Sequence, residues 1–123
     1  MDLKIASLNV RGIGNNTKRR EVFNWLRSKK LSIYMLQEVH CSENTADLWA
    51  CEWGYKTLFA CCSSNKAGVS ILFNNTFNLQ ILKVFSDPNG RFIICDIRPS
   101  TKTIQTFFMP SLITYPASTA KKL

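Results

Sequence analysis

The chain has 123 residues, with sixteen Lys and Arg against eight Asp and Glu, enough for one domain at most or part of one. Its net charge of +8 favours an acidic partner, nucleic acid first, although a solvated lysine surface produces the same balance. Hydrophobic content of 46% allows a modest core, while no apolar run reaches the ~18 residues that a membrane span needs.

Met1-Asp2-Leu3-Lys4 is not a basic segment followed by an apolar stretch, so no signal peptide is expected. The expected location is intracellular, nucleus or cytoplasm, and not secreted. Five cysteines, with Cys61 and Cys62 adjacent and no CxxC spacing, suggest reduced thiols rather than a metal site. Cys95 lies in an apolar run and reads as core packing.

In chain order, residues 3–10 read as a buried strand, and Gly12 and Gly14 supply a loop. Helical spacing follows over 17–29, with Val22, Phe23, Trp25 and Leu26 on one face and Arg20, Asn24 and Arg27 opposite. Residues 32–38 read as a second strand. A right-handed crossover makes the two strands parallel, so Asn9 and Glu38 end on the same rim of the sheet.

A short helix comes next, capped by Ser42 or Asn44, with Leu48, Trp49 and Trp53 as apolar contacts and Gly54 as its end. Strands are expected over 55–61, 68–74, 79–86 and 91–97. Turns at 63–66, 74–76 and 87–90 separate them, the last with Pro early and Gly late. The fold class is α/β with a mixed sheet that ends in an antiparallel meander. Residues 104–109 have room for one more strand, and loop or disorder is expected beyond Pro110.

Glu38 is the best candidate for chemistry. A hard cation such as Mg²⁺ takes oxygen ligands and often uses one or two carboxylates plus substrate phosphates. The competing reading is a solvated loop carboxylate. Asn9 is placed to donate to a phosphate or to orient Glu38, though Asn also ends strands as a plain turn residue. Arg11 offers a bidentate phosphate contact or is a surface charge. His40 is the only histidine, and a lone histidine is more often structural than catalytic. No nucleophile–His–Asp triad is apparent. Lys18, Arg19, Arg20, Arg27, Lys29 and Lys30 are either phosphate contacts or the solvated face of a helix. Trp25, Trp49 and Trp53 suit helix packing better than base stacking.

Two segments, Ser7-Leu8-Asn9-Val10-Arg11-Gly12 and Leu36-Gln37-Glu38-Val39-His40, resemble the first two motifs of the endonuclease/exonuclease/phosphatase superfamily. Ala67-Gly68-Val69-Ser70-Ile71-Leu72-Phe73 and Gly90-Arg91-Phe92-Ile93 resemble its next two strands. Over residues 3–104 the nearest likeness is to LINE-type retrotransposon endonucleases, themselves similar to exonuclease III and apurinic/apyrimidinic endonucleases. The resemblance implies a four-layer α/β/β/α sandwich and Mg²⁺-dependent hydrolysis of DNA phosphodiesters, with Mn²⁺ as a substitute. It implies that Glu38 ligates the metal, that Asn9 helps position metal and phosphate, and that His40 inherits no role.

Thr106-Phe107-Phe108-Met109-Pro110 stands where the family has an Asn-x-Tyr-Ala-Pro-like motif. The Gly-Asp-x-Asn motif and the terminal Asp-His pair are absent from the sequence. The chain therefore reads as the first half of the sandwich, truncated: a partial domain over 1–105 and a divergent, disordered tail over 106–123. One sheet is expected to be largely missing. The expected function is that of a truncated DNA endonuclease or exonuclease-like phosphodiesterase, inactive alone. The alternatives are a non-catalytic basic fragment binding DNA through phosphates without sequence preference, or an unstable remnant. An uncovered sheet face implies self-association. No membrane partner is expected.

Overall fold

The computed structural model describes residues 3–100 and 103–110. Strand β1 (Ile5–Asn9) leads through helix α1 (Asn16–Lys29) to β2 (Ile33–Gln37). Helix α2 (Glu43–Trp53) follows, then β3 (Thr57–Ala60), β4 (Val69–Phe73), β5 (Leu79–Ser86), β6 (Phe92–Pro99) and β7 (Gln105–Pro110). The expected elements are present, with ends shifted by a residue or two, but β1, expected as a buried strand, is an edge strand with no fully buried residue.

The strands form two sheets, not one. The first has the order β1-β2-β4-β3, with β1 parallel to β2 and the other pairs antiparallel. The second is antiparallel, β5-β6-β7, with a register shift between Ile81 and Lys83. The expectation that one sheet is largely missing is therefore wrong. Alternating strands look alike in sequence whether they extend a sheet or begin its partner, and the chain changes sheets in the short link between β4 and β5. That link is a tight turn in which the Phe77 amide donates to the Asn74 carbonyl at 3.0 Å. The Asn74 side chain donates to Leu31 O at 2.7 Å and pins the link to the loop between α1 and β2.

Two cores result. Phe23, Leu26, Trp49 and Trp53 of the helices pack on Tyr34, Leu36 and Leu72 of the first sheet. On its other face Ile33, Val69, Ile71 and Phe73 meet Leu79, Ile93, Cys95, Ile97 and Met109 of the second sheet. Each large side chain fully buried here contributes about 1.5–3 kcal/mol. All five residues of β4 are buried, because this strand is covered by helices on one side and by a sheet on the other.

Helix α1 departs from its expected faces. Arg19 is buried at 4% exposure while Trp25 is 51% exposed, with the Lys29 ammonium over its ring. The stripe that faces inward is 19, 23 and 26, a helical spacing hidden by the arginine at its first position. Asn15 caps the helix by accepting from the Lys18 amide at 2.9 Å. Ser42 is the cap of α2 and forms a reciprocal box with Thr45. Leu48, expected as an apolar contact, is 58% exposed.

Residues 105–110, expected in part as divergent tail, form β7 and pair with β6 from Phe92↔Pro110 to Ile97↔Gln105. The boundary placed after residue 105 falls at the start of this strand. Residues 111–123 lie outside the described residues, and with them the rest of the expected tail. The outer face of the second sheet carries Phe85, Ile94 and Phe108, all exposed.

Cys95 points into the intersheet core, and burial pushes its thiol up to about 11. Cys51 and Cys62 are free and exposed. Alkylation of native protein followed by peptide mapping should therefore modify Cys51 and Cys62 first and Cys95 only on unfolding. Early modification of Cys95 would mean that the two sheets open readily.

Candidate active site

The site grows from the register of two parallel strands. Asn9 pairs with Gln37 at the carboxyl ends of β1 and β2, and Glu38 is the next residue. The Asn9 side-chain amide donates directly to the Glu38 carboxylate. The Asn9 side-chain oxygen Oδ1 accepts from the Arg11 amide at 3.0 Å, so the side chain is held at both ends. The sequence placed these two residues on one rim, and the structure joins them.

The backbone here is unusual. Arg11, Glu38 and His40 have φ of 49°, 51° and 58°. Non-glycine residues in this region cost on the order of 1 kcal/mol each and persist where surrounding bonds fix them. Gly12 N donates to Glu38 O at 2.7 Å, Val39 N to Gly68 O at 3.0 Å, and His40 N to Ala67 O at 2.9 Å. Gly12 itself (φ 79°) lies so close to the His40 ring that a Cβ would stand 2.6 Å from Nδ1. His40 Nε2 lies 3.9 Å from Glu38 Oε1. One carboxylate oxygen thus faces Asn9 and the other faces His40, a neighbour that sequence reasoning left without a part.

Arg11 is exposed beside this rim, and its carbonyl accepts from the Lys18 ammonium at 3.1 Å. Lys18 therefore adds a cation close to the rim. Arg19 and Arg27, counted with the phosphate-facing set, are engaged elsewhere. Arg19 pairs with Glu52 at 2.7 Å, and Arg27 donates to the carbonyls of Glu52 and Trp53 at the end of α2.

Among the described residues no three His, Cys, Asp or Glu side chains converge to hold a metal. The donor set is one carboxylate with an amide beside it. That fits the Mg²⁺ mode in which water and substrate phosphate complete the shell, and does not make a closed protein cage. The rim is open. A cleft of about 540 Å³ lies instead between α2, β3 and the end of β5, lined by Asp47, Phe59, Val84 and Pro88.

The sequence profile described as the Endonuclease/Exonuclease/phosphatase family matches residues 6–118, which include the whole rim. The chain belongs to that family. A transposon TX1 uncharacterized 149 kDa protein of Xenopus laevis is 30% identical over 103 residues, covering 84% of this chain. This chain spans 8% of that relative's length. Among solved structures, a functionally unknown conserved protein from Enterococcus faecalis V583 superposes with a TM-score of 0.62 at 18% identity. That match covers 86% of this chain and 50% of the other. An AP endonuclease from Archaeoglobus fulgidus superposes with a TM-score of 0.55 at 25% identity, covering 76% of this chain and 37% of the endonuclease. The family member described here thus spans half or less of these relatives. No helix among its described residues is long and apolar enough to cross a membrane.

Proposed function

We propose that the chain carries the metal-holding rim of a Mg²⁺-dependent DNA phosphodiesterase of retrotransposon type, and that it does not cleave DNA alone. The observation that carries this reading is the hydrogen bond between Asn9 and Glu38 at the carboxyl ends of two parallel strands. Glu38 would hold the cation, with Mn²⁺ a substitute for Mg²⁺. A bound cation there supplies Lewis-acid polarisation of a phosphate. Asn9 keeps the carboxylate in one orientation, and Arg11 meets a neighbouring phosphate. A cleavage reaction also needs a positioned water and a general base, and neither follows from these residues.

The test is a Mn²⁺ titration and a plasmid-nicking assay on the same protein. Glu38→Ala should abolish the site, and Asn9→Ala should weaken Mn²⁺ binding by about ten- to a hundredfold, as for other groups that orient a metal ligand. Nicking by the wild-type chain should not exceed that of Glu38→Ala. Unchanged Mn²⁺ affinity in both variants would remove the metal reading, and Mg²⁺-dependent nicking lost in Glu38→Ala would remove the inactivity.

A non-catalytic reading is favoured by the exposed Lys18, Arg20, Lys29 and Lys30 along α1. In this reading the chain binds DNA through phosphates without sequence preference, and affinity falls steeply with salt. We also propose that a second copy covers the outer face of the second sheet. Phe92 stacks with both Phe85 and Phe108, each pair at 5.8 Å between centroids, and Lys83, Asp96 and Arg98 on the same sheet offer charges of both signs. Sedimentation should show concentration-dependent association that Phe85→Ser with Phe108→Ser removes. A monomer at all concentrations would exclude it.

A further inference from the structure

We propose that Cys41 and Cys61 form a redox latch on the loop that carries Glu38. Oxidised, the pair fixes the loop; reduced, it lets the loop open without unfolding the domain. The two cysteines are joined in a disulfide with Cα atoms 5.1 Å apart, which corrects the expectation of reduced thiols for this pair. Cys41 follows the left-handed residues Glu38 and His40 within the same short loop. Cys61 directly follows β3. The bond therefore ties the strained rim to the far strand of the first sheet.

Its surroundings are close on every side. Gly68 (φ +88°) sits where a Cβ would stand 3.3 Å from both Cys41 Sγ and His40 N. The same 67–68 segment accepts the amide hydrogens of Val39 and His40. On the opposite side, the Cys61–Cys62 peptide packs against Gly90 in the β5–β6 turn. The disulfide lies at the junction of the site loop, β3 and the second sheet.

The dithiol state is also provided for. Cys41 Sγ lies 3.9 Å from Ala60 O, and Cys61 Sγ lies 3.6 Å from Ser42 O. Reduction lets the two sulfurs move apart, and each S–H then has a carbonyl oxygen nearby to which it can donate. Both states thus fit one fold, and the difference between them is the covalent restraint on residues 38–41. In a compartment that keeps thiols reduced, such a bond forms transiently under oxidising conditions, which is the behaviour of a sensor.

The reductant is an external dithiol. Cys41 is wholly buried and Cys61 only partly so, and the attack falls on Cys61 Sγ. The first reductant thiolate forms a mixed disulfide there, and Cys41 leaves and takes up a proton. The second reductant thiolate attacks the reductant's own sulfur in the mixed disulfide and releases Cys61, which is protonated in turn. Two electrons pass to the protein and the dithiol becomes a cyclic disulfide.

The test is amide hydrogen exchange on the full chain, oxidised and then reduced with dithiothreitol, with thiols counted in denaturant. Three thiols are expected in the oxidised form and five in the reduced form. Exchange at Val39 and His40 should speed up by about tenfold or more on reduction, while β5 and β6 stay protected. Reoxidation should reverse the change, and Cys41→Ala with Cys61→Ala should behave as reduced under both conditions. Five thiols in the oxidised protein, or equal exchange in both forms, would overturn the latch. The latch adds redox control to the metal reading, so Mn²⁺ affinity is measured on both forms. An exchange difference without an affinity difference supports the latch and counts against the metal at Glu38.

Discussion

Replacing Arg19 with Leu should destabilise the fold by roughly 3 kcal/mol, measured by urea unfolding. The guanidinium is buried, and its five N–H groups all have acceptors: the Glu52 carboxylate, the carbonyls of Ile13 and Gly14, and the Asn16 side chain. It also lies 5.0 Å from the centre of the Trp49 ring. Removing it strips donors from a loop that leads out of the site rim. Glu52 keeps partial access to water, so the residual charge adds less than a fully buried one would. Lys should not rescue, because an ammonium cannot match a fork that spans a carboxylate and two carbonyls.

The same pair sets a pH dependence. The hydrogen bond from Arg19, followed by the charges of Arg19 and Arg20, holds the Glu52 carboxyl below the usual carboxylate range against the opposing effect of burial. A carboxyl lowered in the folded state contributes stability above its unfolded value and loses it as pH falls through the folded value. Wild-type stability should therefore decline in the acid window below the ordinary glutamate range, and Arg19→Leu should flatten the Glu52 part of that decline. An equal acid slope in both proteins would show that the pair contributes nothing through protonation.

Gly90→Ala should cost roughly 2–4 kcal/mol, from left-handed strain together with overpacking. Gly90 has φ +70°, and a Cβ there would stand 2.7 Å from both Cys61 C and Cys62 N. Those are backbone atoms with little room to move, and Gly90 O also accepts from Gly68 N at 3.1 Å. Gly54 is the control: its φ is +87° but nothing lies within 4 Å of a Cβ there. Asn should largely rescue position 54, where only the dihedral matters, and fail at position 90, where the clash remains. Rescue by Asn at 90 would show that the close approach to the Cys61–Cys62 peptide is soft.

These two positions show what was legible in the sequence and what was not. Gly90 was visible as the last residue of a turn, but its contact with the Cys61–Cys62 peptide is long-range and leaves no local signal. Arg19 sits on an inward stripe with Phe23 and Leu26, yet an arginine at such a position reads as solvent-facing until Glu52 is known to be opposite. Asn9 and Glu38 were legible because a strand–helix–strand unit fixes both strand direction and rim. The disulfide was not, because an odd cysteine count leaves every pairing open. The second sheet was not, because a period of two says which way a side chain points and not which sheet it belongs to.

Among the described residues the chain crosses from one sheet to the other once, over residues 74–78, so there each sheet is a continuous stretch of sequence. During synthesis the first sheet and both helices leave the ribosome before the second sheet does. Ile33, Val69, Ile71 and Phe73 then form an apolar surface with no cover until the β5–β6 hairpin emerges. The interval is set by translation speed, at about 5–20 residues per second, rather than by folding physics. A pause after β4 has left the ribosome prolongs the exposure, and a chain truncated at residue 78 never ends it. Synonymous codons placed downstream of β4 by the length of the exit tunnel are therefore a lever on the yield of folded protein that leaves every residue unchanged.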